Sequence, residues 1–291
     1  MKYIFIVNPV SGGRSKTKLI HDMNEFCFSH QLDFEIRYTE YPGHAKVLAQ
    51  EYYEQEQTVI VAVGGDGTVN EVASSLIGAK ALFHVIPCGS GNGFARHNNI
   101  PLTHTRNLVL MQKAAGARSV DVCFLNNIPF FNVSGIGFDA FISQKFSEIK
   151  GRGFSNYIRA VLTHYHKAKN CNFTIVINNE QINLKALFIS FANTTQYGNN
   201  AHIAPQADIT DGLVDVVAVS KIPVYLLPRI ARKLFCKQKI NSRFVSYYRT
   251  ESLLVTCPEQ YIHIDGEPMH HLHKEVSIYV KKKALKMLAL P

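Results

Sequence analysis

Two textures of apolar and polar positions divide this chain. Over about the first 120 residues, short apolar runs alternate with stretches of helical spacing. Residues 3–7 (YIFIV) read as a strand. Residues 18–30 read as a helix, with Leu19, Ile20, Met23, Phe26 and Cys27 on one face. Alternation at Phe34, Ile36 and Tyr38 predicts a second strand, and 45–53 a second helix. The run 58–63 (TVIVAV) is apolar throughout, the mark of a strand covered on both faces of a parallel sheet. A helix over 69–77 and a strand over 82–86 follow. Strand–helix alternation of this kind predicts a parallel α/β layer.

Beyond about residue 120 the runs shorten and are joined by turns, at 128–133, 173–177, 186–192, 214–219, 253–256, 261–264 and 276–280. Asn178-Asn179 is a turn between two of them. This texture predicts an antiparallel β-sandwich or barrel, interrupted by helices over 153–169 and 223–237. The expected division is 1–120 for the α/β domain and 121–280 for the β-rich domain, with 281–291 able to return to the first.

Composition adds bounds. With 291 residues, 46% hydrophobic and 18% charged, the chain can bury a core without staples. Six scattered cysteines, with no CxxC, read as reduced thiols of a cytoplasmic protein. No apolar run reaches the ~18 residues of a membrane span, and the short N-terminal apolar run reads as a first strand rather than a signal peptide. The formal charge of +9 fits nucleic acid, an anionic membrane or a polyanionic small molecule. No nucleic-acid motif is visible.

Three loops follow predicted parallel strands, where α/β proteins hold ligands. They are Asn8-Pro9-Val10-Ser11-Gly12-Gly13-Arg14, then Gly64-Gly65-Asp66-Gly67-Thr68-Val69-Asn70-Glu71, then Pro87-Cys88-Gly89-Ser90-Gly91-Asn92-Gly93. Glycines let backbone N–H groups approach phosphates, and a following helix adds positive dipole. Ser11, Thr68 and Ser90 add hydroxyl donors. None of the loops matches GxxxxGK[ST] or GxGxxG, which argues against P-loop and Rossmann sites.

The NPxSG, GGDGT and later DGE segments, in this order, resemble the diacylglycerol, sphingosine and ceramide kinase family, bacterial members included. The resemblance covers nearly the whole chain. It implies an N-terminal ATP domain related to NAD kinases and phosphofructokinases, a C-terminal lipid-binding β-sandwich, and an active site in the cleft between them. It implies ATP contacts at Asn8, Pro9, Val10, Ser11 and Gly12, at Thr39, from Gly64 through Glu71, and at Ser90, Gly91 and Asn92. Arg152 is a candidate phosphate contact or a solvated loop arginine. Gly93 stands where many bacterial relatives carry an aspartate. The resulting GSGN loop looks more like sphingosine and ceramide kinases, which implies a sphingoid-type acceptor phosphorylated at least as well as diacylglycerol, with either lipid or a related one as the substrate.

Phosphoryl transfer to an alcohol needs a group to take the hydroxyl proton. Asp66 and Glu267 are the candidates. Asp66 can equally cap its own loop. Glu267, after Asp265-Gly266, reads from sequence alone as a plain hairpin turn, and only the resemblance makes it catalytic. The GSGN loop tips the choice slightly to Asp66. In bacterial relatives the stretch around Ala204–Val216 holds a structural Mg²⁺, which carries over to the Asp211 carboxylate and the carbonyls of Asp208 and Leu213; an ordinary Asp-Gly turn is the alternative. A second Mg²⁺ travels with ATP. Asp139 matches the lipid head-group position of sphingosine kinases, or is a helix N-cap. His270, His271 and His273 lack a fourth zinc ligand.

Residues 226–243 carry six basic side chains around Leu226, Leu227, Ile230, Leu234 and Phe235. This predicts a basic amphipathic helix that either lies on an anionic membrane or packs on the core with a solvated basic face. The expected protein is cytoplasmic and peripheral on the inner membrane face, with a homodimer among the assemblies expected. The competing functions are an NAD kinase-like small-molecule kinase and a non-catalytic lipid- or nucleotide-binding protein on the same fold.

Overall fold

A computed structural model describes residues 1–13, 15–149, 153–256, 261–270 and 274–291. The chain forms two compact units, 1–120 with 283–291, and 121–282.

The first unit opens with β1 (Lys2–Val7), α1 (Thr17–Ser29), β2 (Asp33–Tyr38), α2 (His44–Gln50), β3 (Thr58–Gly64) and α3 (Asp66–Ser75). It continues with β4 (Leu82–Pro87), α4 (Gly93–His97) and α5 (His104–Lys113). Strands lie in the order β2-β1-β3-β4, all parallel. Every residue of β3 is buried, as its unbroken apolar run requires. Phe5, Val61, Val63, Met23 and Leu108 join one core cluster on this sheet. Two expectations shift here. Helix α3 starts at Asp66 rather than near 69, so Asp66-Gly67-Thr68 form its first turn. The helices α4 and α5, which the apolar pattern did not predict, follow the third glycine loop.

The strand β5 (Gly116–Leu125) leads into the second unit. There follow β6 (Ile128–Phe130), β7 (Val133–Gly137), α6 (Phe138–Glu148), α7 (Phe154–Tyr165), β8 (Cys171–Ile177), β9 (Glu180–Ala186), β10 (Phe188–Ala192) and β11 (Val214–Val219). A 3₁₀ turn at Val224–Leu226 runs into α8 (Leu227–Phe235). The unit continues with β12 (Val245–Thr250), β13 (Ser252–Thr256), β14 (Tyr261–Ile264) and β15 (Glu267–His270). The final strand, β16 (Glu275–Ala289), begins in this unit; Met287 near its end pairs in parallel with Phe83 in the first.

Within the second unit, β9-β8-β13-β16 form one antiparallel sheet. The order β12-β11-β10-β7-β14-β15 forms the other. Phe173, Ile175, Val255 and Ile278 from one sheet meet Ile136, Phe191, Val216 and Ile262 from the other in a single buried cluster. That is a sandwich core. Hairpin turns at Asn126-Asn127, Asn178-Asn179 and Asp265-Gly266 hold both central residues at positive φ, the geometry short hairpins favour. The strand expected over 186–192 forms as β10 and starts two residues later. β9 ends at Ala186, and Leu187 bonds the backbones of Val219 and Phe138 as the chain passes to the other sheet. The helix expected over 223–237 is shorter. Leu226, Leu227, Ile230 and Leu234 pack on buried Ile203, Val219 and Ile222, so its apolar face turns inward.

Candidate functional site

The three glycine loops sit at the carboxyl ends of β1, β3 and β4, and the parallel order sets them side by side. Asn8 lies just past β1, where its Nδ2 donates to Thr68 Oγ1 at 3.0 Å. Its Oδ1 accepts the Val10 N–H at 3.1 Å, and its carbonyl accepts the Ser11 hydroxyl at 3.2 Å. The first loop is therefore folded on itself and tied to the second.

The loops then touch through bare backbone. A Cβ on Gly12, whose φ is +72°, would lie 1.9 Å from the Cys88 carbonyl oxygen. A Cβ on Gly89 would lie 2.7 Å from the Gly65 Cα. Both distances are below any real contact, so glycine is required at Gly12 by conformation and contact together. The glycines thus serve loop-on-loop packing first.

Asp66 ties the second loop to the third. Its Oδ2 accepts the Asn92 N–H at 2.9 Å and its Oδ1 the Gly93 N–H at 3.0 Å. Asn92 in turn brackets Gly89, accepting its N–H at 2.9 Å and donating to its carbonyl at 2.8 Å. Gly93 supplies one of the two N–H groups on Asp66 at the point where relatives were expected to carry an acid.

Lys16 was not singled out by the sequence, although it stands two residues past the first loop. It is buried, and its ammonium donates to the carbonyls of Ser11 and Pro9. Burial lowers its pKa, offset in part by Cys88 nearby. Two expected contacts have other local roles. Glu71 accepts the N–H groups of Gly43 and Ala45 (3.0 and 3.2 Å), capping the first turn of α2. Thr39, past β2, donates its N–H to the Val7 carbonyl at 2.9 Å, close in sequence to an exposed Tyr41 stacked on His44. Val10 is exposed, and Arg152 lies outside the described residues.

In the second unit, Asp139 is not the N-cap of α6. Gly137 holds that position, with φ +92°, and Asp139 sits within the first turn. Its carboxylate is buried and accepts from His263 Nε2 (3.0 Å), Tyr197 (2.9 Å), Ser190 (3.3 Å) and Tyr157 (3.3 Å). Burial pushes its pKa up, but the His263 imidazole and the phenol donors outweigh that and leave it lowered. The protein's own donors thus engage the oxygens that were expected to meet a lipid head group.

Glu267 opens β15 and is exposed. The preceding Asp265 accepts the N–H groups of Phe131 (2.9 Å) and Asn132 (2.7 Å), pinning the turn to the body of the unit.

The structural Mg²⁺ expected at Asp208, Asp211 and Leu213 does not fit the residues present. Asp211 Oδ1 accepts the Leu213 N–H at 2.9 Å, and its Oδ2 is paired with the Arg249 guanidinium, which also reaches buried Asp215 at 3.3 Å. Asp208 accepts from the Thr210 N–H and hydroxyl. A guanidinium already answers the carboxylate a cation would need. Among the described residues no group of three or more His, Cys, Asp or Glu side chains is arranged to hold a metal.

Taken together, an α/β unit with stacked glycine loops and a β-sandwich unit define the kinase class related to NAD kinases. Residues 2–125 match the diacylglycerol kinase catalytic domain, and 132–289 match the YegS C-terminal NAD kinase β-sandwich-like domain. The chain belongs to this family of lipid kinases. It is 25% identical over 284 residues to a diacylglycerol kinase of Mycobacterium tuberculosis, covering 95% of this chain and 92% of that one. It is 30% identical over 260 residues to a probable lipid kinase YegS-like protein of Yersinia pestis, covering 84% of each. The fold is shared with the crystal structure of a Bacillus anthracis diacylglycerol kinase, at TM-score 0.77 and 21% identity over 100% of this chain and 97% of that one. An NAD kinase from Archaeoglobus fulgidus, solved in complex with ATP, shares it more distantly, at TM-score 0.57 and 13% identity over 100% and 94% of the two chains.

Proposed function

We propose that this protein transfers the γ-phosphate of ATP to the hydroxyl of a membrane lipid. The observation that carries the reading is the stack of three loops at the strand ends, tied by Asp66 and opening into the N-terminus of α3. Such a stack holds backbone donors and helix dipole in one fixed body, as a polyphosphate requires. Mg²⁺ bound with ATP supplies neutralisation of the phosphate charge.

In the reaction the lipid hydroxyl oxygen forms a bond to the γ-phosphorus, the bond from that phosphorus to the bridging oxygen breaks, and ADP leaves. A carboxylate takes the hydroxyl proton. Asp66 has both oxygens engaged with backbone N–H groups, which suits a positioning residue. Glu267, exposed beside a pinned turn, is the better base.

The acceptor we favour is a neutral-headed lipid such as diacylglycerol. The amine of a sphingoid base was attractive as a partner for Asp139, and that carboxylate is engaged internally. The names of the relatives point the same way. Incubation with ATP, Mg²⁺ and a total lipid extract should yield a lipid heavier by one phosphate, seen by mass spectrometry. Phosphorylation of NAD with no lipid product would instead establish the small-molecule kinase reading.

A further inference from the structure

Residues 216–250 contain no aspartate or glutamate and eight lysines and arginines. Arg249 is answered by Asp211 and Asp215, and Lys221 donates to the carbonyls of His166 and Ala168. The other six are Arg229, Arg232, Lys233, Lys237, Lys239 and Arg243. None of them forms an ion pair among the described residues.

The way α8 packs decides what this charge does. Leu226, Leu227, Ile230 and Leu234 face the core of the unit. Tyr225, Arg229 and Arg232, spaced four and three residues apart, therefore share the opposite face. Tyr225 is 80% exposed and Val224 69%, and Phe235 at the other end of α8 is 40% exposed. A core-packed amphipathic helix explains its own leucines but leaves Val224 and Tyr225 outside, just ahead of Arg229 and Arg232 in the chain. Apolar side chains beside an unpaired basic face suit a surface that offers negative charge and, just beneath it, hydrocarbon. The phosphates of a nucleic acid would answer the arginines and leave exposed Val224 in water.

We propose that this face docks the protein onto a bilayer containing anionic phospholipid, with Val224 and Tyr225 entering the interface and Arg229 and Arg232 meeting head-group phosphates. The inference deepens the lipid-kinase reading, because it says where the enzyme meets the membrane that carries its acceptor. The helix takes part through its polar face, whereas its leucines stay in the core.

The chain has no tryptophan, so Tyr225→Trp installs a single reporter. With vesicles of phosphatidylcholine and phosphatidylglycerol its emission should shift to the blue, and with phosphatidylcholine alone it should not. Sedimentation of the wild type with the anionic vesicles should weaken sharply as salt rises. Arg229→Gln with Arg232→Gln should lower partitioning about twenty-five-fold, at about fivefold for each charge. Val224→Ser with Tyr225→Ser should lower it at equal charge.

These positions are exposed, so circular dichroism and the thermal midpoint should match wild type, as should turnover of a detergent-dispersed short-chain acceptor. Equal binding to neutral and anionic vesicles would overturn the proposal. So would wild-type partitioning by folded arginine variants, or capture of single-stranded RNA without vesicle binding. The vesicle assays contain no ATP, so docking and kinase activity fail or succeed separately.

Discussion

His263 donates its Nε2–H to Asp139 Oδ2 at 3.0 Å, with both side chains buried. The other ring nitrogen, Nδ1, accepts the Gly266 N–H at 3.2 Å. Since Nδ1 accepts, the proton lies on Nε2, and the ring is fixed in one tautomer. The line runs from Asp139 through His263 to the turn that presents Glu267. Gly135 leaves room for the pair, because a Cβ there would lie 2.9 Å from His263 Nε2 and 3.0 Å from Asp139 Oδ2. Sequence proximity could not show this, as 124 residues separate the partners.

Asp139→Ala leaves buried donors without their acceptor, and should destabilise the protein by about 3 kcal/mol. Tyr157→Phe, which removes only a long bond, should be mild. The Asp139 carboxyl has a lower pKa folded than unfolded. Its contribution to stability is therefore present above about pH 4 and is lost as pH falls further. Thermal midpoints of wild type and Tyr157→Phe across pH 3 to 7, with Asp139→Ala at neutral pH, check both statements.

Asp66 and Glu267 are separable by how their variants fail. Asp66→Asn loses one of two backbone acceptors and should loosen the third loop, raising KM for ATP along with its fall in kcat. Glu267→Gln should leave ATP binding unchanged and lower kcat at least a hundredfold, in the range removal of a general base produces. Titration calorimetry with ATP beside steady-state kinetics decides it. Near-normal turnover by the Glu267 variant would return the base to Asp66.

His84, fully buried in β4, donates from Nε2 to Asn107 Oδ1 at 2.7 Å, since the Asn107 amide nitrogen is committed to the carbonyls of Val85 and Pro101. Its Nδ1 has no partner among the described residues. Burial pulls its pKa down to about 4. The unfolded chain takes up this proton first as pH falls, so stability drops between about pH 6.5 and 4, by roughly 3 kcal/mol in all. Urea unfolding across that window should show the slope, and His84→Gln should flatten it.

Because Arg249 balances Asp211, chelation should leave the fold alone. EDTA should abolish turnover, through loss of the Mg²⁺ that accompanies ATP, while the thermal midpoint stays within a degree or so. A large fall in midpoint would mean that a cation supports this unit after all.

The runs buried on both faces were plain in the sequence, as was the Asn178-Asn179 turn, because apolar continuity and turn chemistry are local signals. β9 was not, because the alternation of Ile182, Leu184 and Ala186 is short and runs straight into the stronger apolar run of β10. The three loops were legible as loops. Their reason for being glycine was not, because the contact that forbids a Cβ on Gly12 comes from Cys88 in another loop. Asp211 was likewise read beside its own turn, whereas its partner Arg249 arrives on β12.

The stacking of the loops bears on how this site can change over time. Where Gly12 meets Cys88 and Gly89 meets Gly65, the contact is main chain on main chain, so no exchange of side chains can tune it. Side chains can change freely at outward positions such as exposed Val10, whereas any side chain at Gly12 would collide with the Cys88 carbonyl. A lineage could therefore exchange the residues around these loops and still carry the same backbone frame.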